Sequence, residues 1–351
     1  MFIIVSTASP SQETYWQERL LHLKDYITSK DDTIIVIHED WPGGAGNALG
    51  TLYAYKKGRD KAKELYGIDL LAEQLQGQSI AIYHTAGVGS RLYPITASEC
   101  NNKSAIKLPQ LIGPANAKVS LTVLEAVIMQ TANHFCLPGR LSVFWGDQVF
   151  VPSENFNNTL KAPIDILSIL GDLPSQAEWN KRHLDHYGAI LTDAKEQLRY
   201  FGKIDFETFQ RNRQKKVFLA NKMGVSLGCF SFSAAMTEAF LQEFDHELTQ
   251  KSAKMDSDPC WMMPLTLDEE TYFEIMKGQN VPDNWIKEHY LRMQRFKEKF
   301  LTQHRLDSLV STSNIGTASY WWDYGTLANY YGNTMKLTQS SPRRCGHAKL
   351  L

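Results

Sequence analysis

The sequence predicts an α/β fold, in which a doubly wound, mostly parallel sheet is covered by helices on both faces. The first observation is a set of short apolar runs rich in β-branched residues, FIIVS (residues 2–6), TIIVIHED (33–40) and SIAIYH (79–84). The second is that segments with apolar residues at helical spacing lie between these runs. Alternating strands and helices indicate βαβ units, and right-handed crossovers then give a doubly wound layer.

Further elements follow in chain order. The segments QETYWQERLLHLKDYI and ALGTLYAYKKGRDKAKELY have helical spacing, and VSLTVLEAVIMQTANHF (119–135) is predicted as a helix that leads into the strand RLSVFWGD. In the second half, strands are predicted in PIDILSILGD, YGAILTD, QLRYFGKIDF and KMGVSLGCFSFS, with a helix from 235 to about 250. The chain is therefore divided into an α/β core (1–250), a charged helical insertion or subdomain (251–302), a return to the core (303–337) and a polar tail (338–351).

Composition excludes several classes of function. The 351 residues carry a net charge of −1, so no basic surface for nucleic acid is indicated. Five widely spaced cysteines predict free thiols in a reducing compartment. The first residues lack a basic leader, and no apolar run is long enough to cross a membrane. We expect a cytoplasmic protein with no membrane partner, and the sequence leaves homo-oligomerisation open.

A glycine-rich turn follows the third strand, in HTAGVGSRLYPIT. Gly87 and Gly89 allow close approach of a ligand, and the amides up to Ser90 suit an anion. Arg91 adds a planar charged fork for phosphate oxygens, and Lys103 or Lys107 supplies a further charge. The pattern is neither a P-loop nor the dinucleotide fingerprint, whose third glycine is replaced here by Leu92. The alternative is a plain tight turn beside a surface arginine.

Two other features point to the same edge of the sheet. A second glycine turn in WPGGAGNALG follows a strand and opens a helix, which suits binding of an anion or a base; it contains Gly43, Gly44, Gly46 and Asn47. The carboxylates of Asp147, in FWGDQVF, and Asp323, in WWDYGT, also follow strand patterns. Such carboxylates suit Mg²⁺, which takes one or two from a protein and completes its shell with phosphates and water. Turn or helix-cap aspartates are the alternative interpretation.

Together these blocks resemble the sugar-1-phosphate nucleotidyltransferases. AGVGSRLYPIT is similar to the family's G-G-x-G-T-R-L-x-P-x-T signature, FWGDQVF to its G-D turn, YGAILTD and LRYFGK to its Y-G strand and E-K-P element, and WWDYGT to its W-x-D-x-G-T. The resemblance runs from about residue 2 to 333. The early glycine turn precedes the arginine signature, an order similar to the fucose-1-phosphate guanylyltransferase branch, which shares the histidine of IYHTAGVGSRL.

The resemblance implies a sheet of nucleotide-diphospho-sugar transferase (GT-A-like) type and a reaction that couples a nucleoside triphosphate with a sugar 1-phosphate. It implies Mg²⁺ on Asp147 and Asp323, with Arg91 and Lys107 or Lys103 on the triphosphate; Lys107 is slightly favoured. Gly43, Gly44, Gly46 and Asn47 would frame the base, and Gly87, Gly89 and Ser90 the phosphates. Lys203, with the backbone at Gly188 and Gly228, would face the sugar phosphate. Guanine is slightly favoured over uracil, and the sugar stays open.

The sequence departs from the family pattern at two positions. Ala86 replaces the first glycine of the signature, and Gly202 replaces the glutamate of the E-K-P element. A sugar contact is therefore lost or supplied from elsewhere, and the segment 251–302 has no counterpart in the pattern. A second hypothesis follows, in which the chain is a catalytically silent regulatory or structural relative. The retained charged residues Arg91, Asp147 and Asp323 favour the enzyme.

Overall fold

A computed structural model of the chain describes residues 1–87, 89–132, 134–153, 162–215 and 218–336. Its strands are β1 (Phe2–Thr7), β2 (Thr33–His38), β3 (Ile80–His84), β4 (Lys107–Ile112), β5 (Val119–Thr122), β6 (Arg140–Trp145), β7 (Gln148–Val151), β8 (Ile164–Gly171), β9 (Ala189–Asp193), β10 (Leu198–Gly202), β11 (Gln214–Lys215), β12 (Phe218–Ser233), β13 (Val310–Asn314) and β14 (Tyr320–Asp323). The predicted tail, 338–351, lies outside the described residues.

The helices separate most of these strands. They are α1 (Pro10–Ile27), α2 (Gly46–Tyr66), α3 (Leu70–Leu75), α4 (Val123–Thr131), α5 (Gln176–Arg182), α6 (Phe206–Asn212), α7 (Ala234–Glu243), α8 (Asp245–Gln250), α9 (Met263–Thr266), α10 (Glu269–Gly278), α11 (Asp283–His304) and α12 (Leu327–Lys336). A π-helical turn, Asp258–Met262, precedes α9. The predicted α/β class, with parallel central strands flanked by helices, is confirmed.

The chain forms two compact units. The described residues of 1–41, 51–156 and 318–336 form the first unit, and those of 42–50 and 157–317 form the second. These limits differ from the predicted boundaries at 250 and 302. The segment predicted as an insertion belongs to a larger unit that begins well before it.

The first unit is built on parallel strands in the order β2-β1-β3-β6. Their side chains are almost completely buried because each strand is apolar on both faces, as a covered parallel sheet requires. Helix α1 begins at the N-cap Ser9, with Pro10 in its first turn, and buries Trp16 and Leu20. All four strands end at the edge from which the predicted turns emerge.

The second unit has a mainly antiparallel arrangement. The long strand β12 pairs antiparallel with β8 and β9, β10 pairs antiparallel with β9, and β13 runs parallel to its neighbour β8. The segment 251–302 packs directly on this layer, because Trp261 is fully buried against Phe232 and stacks on Phe240 at 4.7 Å. The segment therefore contributes to the core of this unit.

One predicted helix begins later than expected. Residues 119–122 form β5, which pairs with β4, and α4 starts only at Val123. Thr122 is the N-cap, and its side chain and that of Glu125 form a reciprocal capping box. Within the described ranges, no helix is both long enough and apolar enough to cross a membrane.

Candidate active site

A short antiparallel ribbon brings the two predicted metal-binding aspartates together. Strands β7 and β14 pair with Asp323 opposite Gln148, so Asp323 lies one residue from the register position of Asp147. The Tyr324 amide donates to the Asp147 carbonyl at 2.9 Å and fixes the end of the ribbon. Residues 176 positions apart in sequence therefore meet within the first unit.

The two carboxylates face a common point beside Gly325. A β-carbon placed on Gly325 would lie 2.8 Å from Asp323 Oδ1 and 3.5 Å from Asp147 Oδ2, so the two oxygens are at most about 6 Å apart. The same point is 3.7 Å from Arg91 Nη2. Glycine at this position thus leaves the space between two carboxylates and a guanidinium open.

The electrostatics of the pair favour a bound cation. Asp147 is buried and Asp323 is half-buried. Burial raises the pKa of Asp323, and the charge of Asp147 raises it further, against the hydrogen bond from the Gly325 amide. Two neighbouring carboxylates in a poorly solvated place repel each other unless positive charge is added.

Lys103 supplies part of that charge. Its ammonium group donates to Asp147 Oδ2 at 2.7 Å, and both side chains are largely buried. The predicted glycines make room for this side chain. A β-carbon on Gly87 would lie 3.0 Å from Lys103 Cε, and one on Gly89 would lie 2.7 Å from Lys103 Cβ. The turn is thus glycine-rich partly because Lys103 passes across it.

The alternative lysine lies elsewhere in the same unit. Lys107 Nζ donates to Glu99 Oε2 and to the Ala105 carbonyl, both at 3.0 Å. Its own carbonyl accepts from the Tyr330 hydroxyl at 2.7 Å. The structure therefore brings Lys103, and not the slightly favoured Lys107, to the carboxylates.

Arg91 and Ser90 lie in the single 3₁₀ turn that closes the glycine stretch. Gly89 precedes this turn with a left-handed backbone (φ 65°), which a glycine adopts without strain. Both Ser90 and Arg91 are exposed, and Leu92 is buried beneath them. The burial of Leu92 holds the turn down while the guanidinium stays accessible to a ligand.

His84, the last residue of β3, contacts two neighbouring side chains at this edge. Its Nε2 lies 2.9 Å from the Thr51 hydroxyl, and its ring stacks on Trp145 at 5.1 Å. Burial lowers the pKa of His84 to about 4, with a smaller contribution from the charge of Lys103. The imidazole is therefore neutral near pH 7, and its contacts indicate a structural role.

The early glycine turn lies in the second unit. Gly43, Gly44 and Gly46 all have positive φ values, and Gly46 packs against the backbone of Met255. The Ala48 amide donates to the Met255 carbonyl at 2.9 Å. At the same helix end the Asn47 amide donates to Asp256 Oδ1, also at 2.9 Å. The first amides of α2, those of Asn47 and Ala48, are therefore bonded within the unit. That Gly43, Gly44, Gly46 and Asn47 frame a base stays a prediction.

The three residues predicted to face the sugar phosphate also lie in the second unit. Gly188 and Gly228 both approach a buried pair of hydroxyls, those of Tyr200 and Ser226. Lys203 is exposed at the end of β10. The charge of Lys203 acts on Asp258, a residue from the segment 251–302.

Sequence inspection did not single out Asp256, Asp258, Tyr200 or Ser226. The readable signal is the sequence MDSDPCW, in which two aspartates flank a serine inside the segment with no family counterpart. Gly325 was visible only as part of WWDYGT. Its role depends on the β7–β14 pairing, which no local pattern reveals.

The residues present fit a hard divalent cation. Within the described residues, no group of three or more His, Cys, Asp or Glu side chains is placed to hold a metal ion. A pair of carboxylates suits Mg²⁺, which keeps water and takes ligand phosphate oxygens. The donor set of Asp147 and Asp323 is of this kind.

Comparisons with known proteins give slight likenesses. The chain is similar to HddC from Yersinia pseudotuberculosis complexed with GMP-PN, at 11% identity and a TM-score of 0.30, covering 96% of this chain and 99% of that chain. It is also similar to a putative glucose-1-phosphate thymidylyltransferase from Bacillus anthracis in complex with a sucrose, at 11% identity and a TM-score of 0.27, covering 97% and 96% of the two chains. No protein-family model matches the chain, and no curated protein is significantly similar to it. Likenesses at these TM-scores carry no conclusion about function.

Proposed function

We propose that the protein is a sugar-1-phosphate nucleotidyltransferase, which joins a nucleoside triphosphate to a sugar 1-phosphate and releases pyrophosphate. The observation that carries the proposal is the convergence of Arg91, Lys103, Asp147 and Asp323 within the first unit. This set combines two acceptors for a hard cation with two donors for phosphate oxygens. Such a set can hold two polyanionic substrates in line and offset the repulsion between them.

The reaction needs no covalent bond to the protein. A phosphate oxygen of the sugar 1-phosphate attacks the α-phosphorus in line, a new P–O bond forms, and the bond to the β-phosphate oxygen breaks. Pyrophosphate leaves with the electron pair. The protein lowers the barrier by holding the reactants in line and by offsetting negative charge.

Each residue has a defined part in this scheme. Arg91 holds the oxygens of the departing pyrophosphate with its fork, together with the amides of Gly87, Gly89 and Ser90. Lys103 offsets charge that grows at the α-phosphate. Asp147 and Asp323 would hold Mg²⁺, which would supply positive charge to neutralise the phosphates.

The other residues with a role in this proposal belong to the second unit. Gly43 and Gly44 present a backbone that a base edge can approach, and Lys203 offers charge to the sugar phosphate. The order of the glycine turn before the arginine signature supports the fucose-1-phosphate guanylyltransferase branch, and with it guanine as the base.

The test is pyrophosphate release from each of four nucleoside triphosphates with a panel of sugar 1-phosphates and Mg²⁺. Asp147→Asn and Asp323→Asn should each reduce turnover at least about a hundredfold, the scale of losing one electrostatic stabiliser. Asp31→Asn, which removes an exposed carboxylate from the first unit, is the matched control and should retain wild-type turnover. Absence of turnover in the wild type across the panel would overturn the proposal and favour a silent relative.

A further inference from the structure

A hydrogen-bonded chain of side chains runs through the second unit and ends at a carboxylate. The Gly228 amide donates to Ser226 Oγ at 3.1 Å, the Ser226 hydroxyl bonds to Tyr200 Oη, and the Tyr200 hydroxyl bonds to the Asp258 carboxylate. Tyr200 and Ser226 are both buried. The Tyr200 hydroxyl therefore links the Ser226 hydroxyl to the Asp258 carboxylate.

Glycines shape the space around this chain. A β-carbon on Gly188 would lie 2.4 Å from Tyr200 Oη, so only glycine lets the hydroxyl reach this place. A β-carbon on Gly202 would lie 3.9 Å from Asp258 Cβ. The position where the family pattern has a glutamate therefore lies beside two residues of the segment 251–302, Met263, whose Sδ is 3.4 Å away, and Asp258.

The contacts described so far do not occupy every acceptor position of the Asp258 carboxylate. Its residue surface is partly accessible, while Tyr200 behind it is not. Burial raises the pKa of the Asp258 carboxyl, and the charge of Asp256 raises it further, while the Tyr200 hydrogen bond and the charge of Lys203 lower it. A carboxylate has about four acceptor positions, so the bonds from the Tyr200 and Ser257 hydroxyls leave others open.

The neighbouring residues define what those positions can bind. Lys203 is exposed immediately after Gly202 and supplies the positive charge for a phosphate. Asp258 supplies acceptors without donors, which suit the hydroxyls of a polyol. The preceding Ser257 amide donates to Asn47 Oδ1 at 2.5 Å, which ties this segment to the early glycine turn.

We infer that Asp258 is a specificity-determining residue that accepts hydrogen bonds from the sugar hydroxyls of the sugar 1-phosphate, while Lys203 binds its phosphate. The inference rests on the proposed function and deepens it. It assigns the sugar contact absent at Gly202 to the segment 251–302. Tyr200 is a positioning residue, since it acts through Asp258.

The experiment measures KM for each substrate and binding by calorimetry, with glucose, mannose and fucose 1-phosphates and 2-deoxyglucose 1-phosphate as probes. In Asp258→Asn, affinity for the best sugar 1-phosphate should fall roughly tenfold or more, as expected for a hydrogen bond to a charged group. The KM for triphosphate should change less than about threefold, and discrimination against the deoxy analogue should shrink. Inhibition by inorganic phosphate should stay at the wild-type level, whereas Lys203→Met should weaken it.

Two further variants test the positioning role of Tyr200 and control for loss of a carboxylate. Tyr200→Phe retains the ring but frees Asp258, and it should weaken discrimination among sugars more than affinity for inorganic phosphate. Glu288→Gln removes an exposed carboxylate from the same segment and should behave as the wild type. If Asp258→Asn and Tyr200→Phe, with wild-type turnover established, retain full sugar discrimination, the inference is wrong and the proposed function stands. If the wild type neither turns over nor binds any sugar 1-phosphate, both fail.

Discussion

The glycines on either side of residue 88 should respond differently to the same substitution. At Gly89, alanine would have to adopt a φ of 65° and place its β-carbon 2.7 Å from Lys103 Cβ. The left-handed backbone costs about 1–2 kcal/mol. Overpacking of a fixed atom adds about 1–3 kcal/mol. We therefore expect Gly89→Ala to lower the free energy of unfolding by about 2–5 kcal/mol.

Gly87→Ala should affect activity and leave stability nearly unchanged. Here the β-carbon would lie 3.0 Å from Lys103 Cε and 3.3 Å from Nζ, which are at the mobile end of the side chain. The lysine can yield by a few tenths of an ångström, so we expect a stability change below about 1 kcal/mol. Its 2.7 Å contact with Asp147 would lengthen, and turnover should fall.

The assay combines urea unfolding, followed by circular dichroism, with pyrophosphate release. Hydrogen exchange of peptides from β3 and β6 reports the first unit separately, since two units need not unfold in one step. Equal destabilisation by the two substitutions would refute the assigned path of Lys103. Wild-type turnover in Gly87→Ala would show that the position of the Lys103 ammonium group does not matter.

Further predictions concern the triphosphate, pH and the early glycine turn. Arg91→Lys keeps the charge but loses the planar fork, so KM for triphosphate should rise more than KM for sugar 1-phosphate; the reverse order would contradict the role of Arg91. Burial lowers the pKa of His289 to about 4, so His289 is neutral when folded and the unfolded chain takes up the proton first as pH falls. Stability that is fully present above about pH 6.5 should therefore decline by up to about 3 kcal/mol towards pH 4, and urea unfolding of His289→Gln should show a smaller decline. In Gly46→Ala the new β-carbon would lie 2.3 Å from the Met255 carbonyl oxygen, whereas in Gly43→Ala it would have no neighbour within 4 Å. Gly46→Ala should therefore lower the melting temperature far more than Gly43→Ala. Equal effects would disprove the tight packing of Gly46.

Local patterns were sufficient for the parallel strands and for the ends from which the turns emerge. The runs at β1, β2 and β3 are apolar on both faces, and this pattern is typical of covered parallel strands. The start of α4 was also readable, because T-x-x-E at Thr122 is a capping-box signature. The predicted helix from 119 overlooked that signal.

Local sequence patterns did not predict the pairing of strands that are distant in sequence. Strands β7 and β14 have four residues each and lie far apart in sequence, so neither predicts the other. The choice between Lys103 and Lys107 likewise depends on which lysine crosses the glycine turn, a question of three-dimensional packing. The sequence did not indicate Asp258 for the same reason, because its neighbours Gly202 and Tyr200 belong to β10, which is distant from Asp258 in sequence.

Because Asp147 and Asp323 lie 176 positions apart, the ribosome adds the two carboxylates of the site at different times. A ribosome adds roughly 5–20 residues per second, so on the order of 10–30 s pass between translation of the first aspartate and the second. During that interval β7 lacks β14, its partner in the ribbon, and exposes unpaired backbone groups. Termination after residue 147 and before residue 323 would release a chain with the glycine turn, Arg91 and Lys103 but only one of the two carboxylates. Such a fragment could not hold the cation in the proposed way, so the proposed site is complete only in chains translated past Asp323.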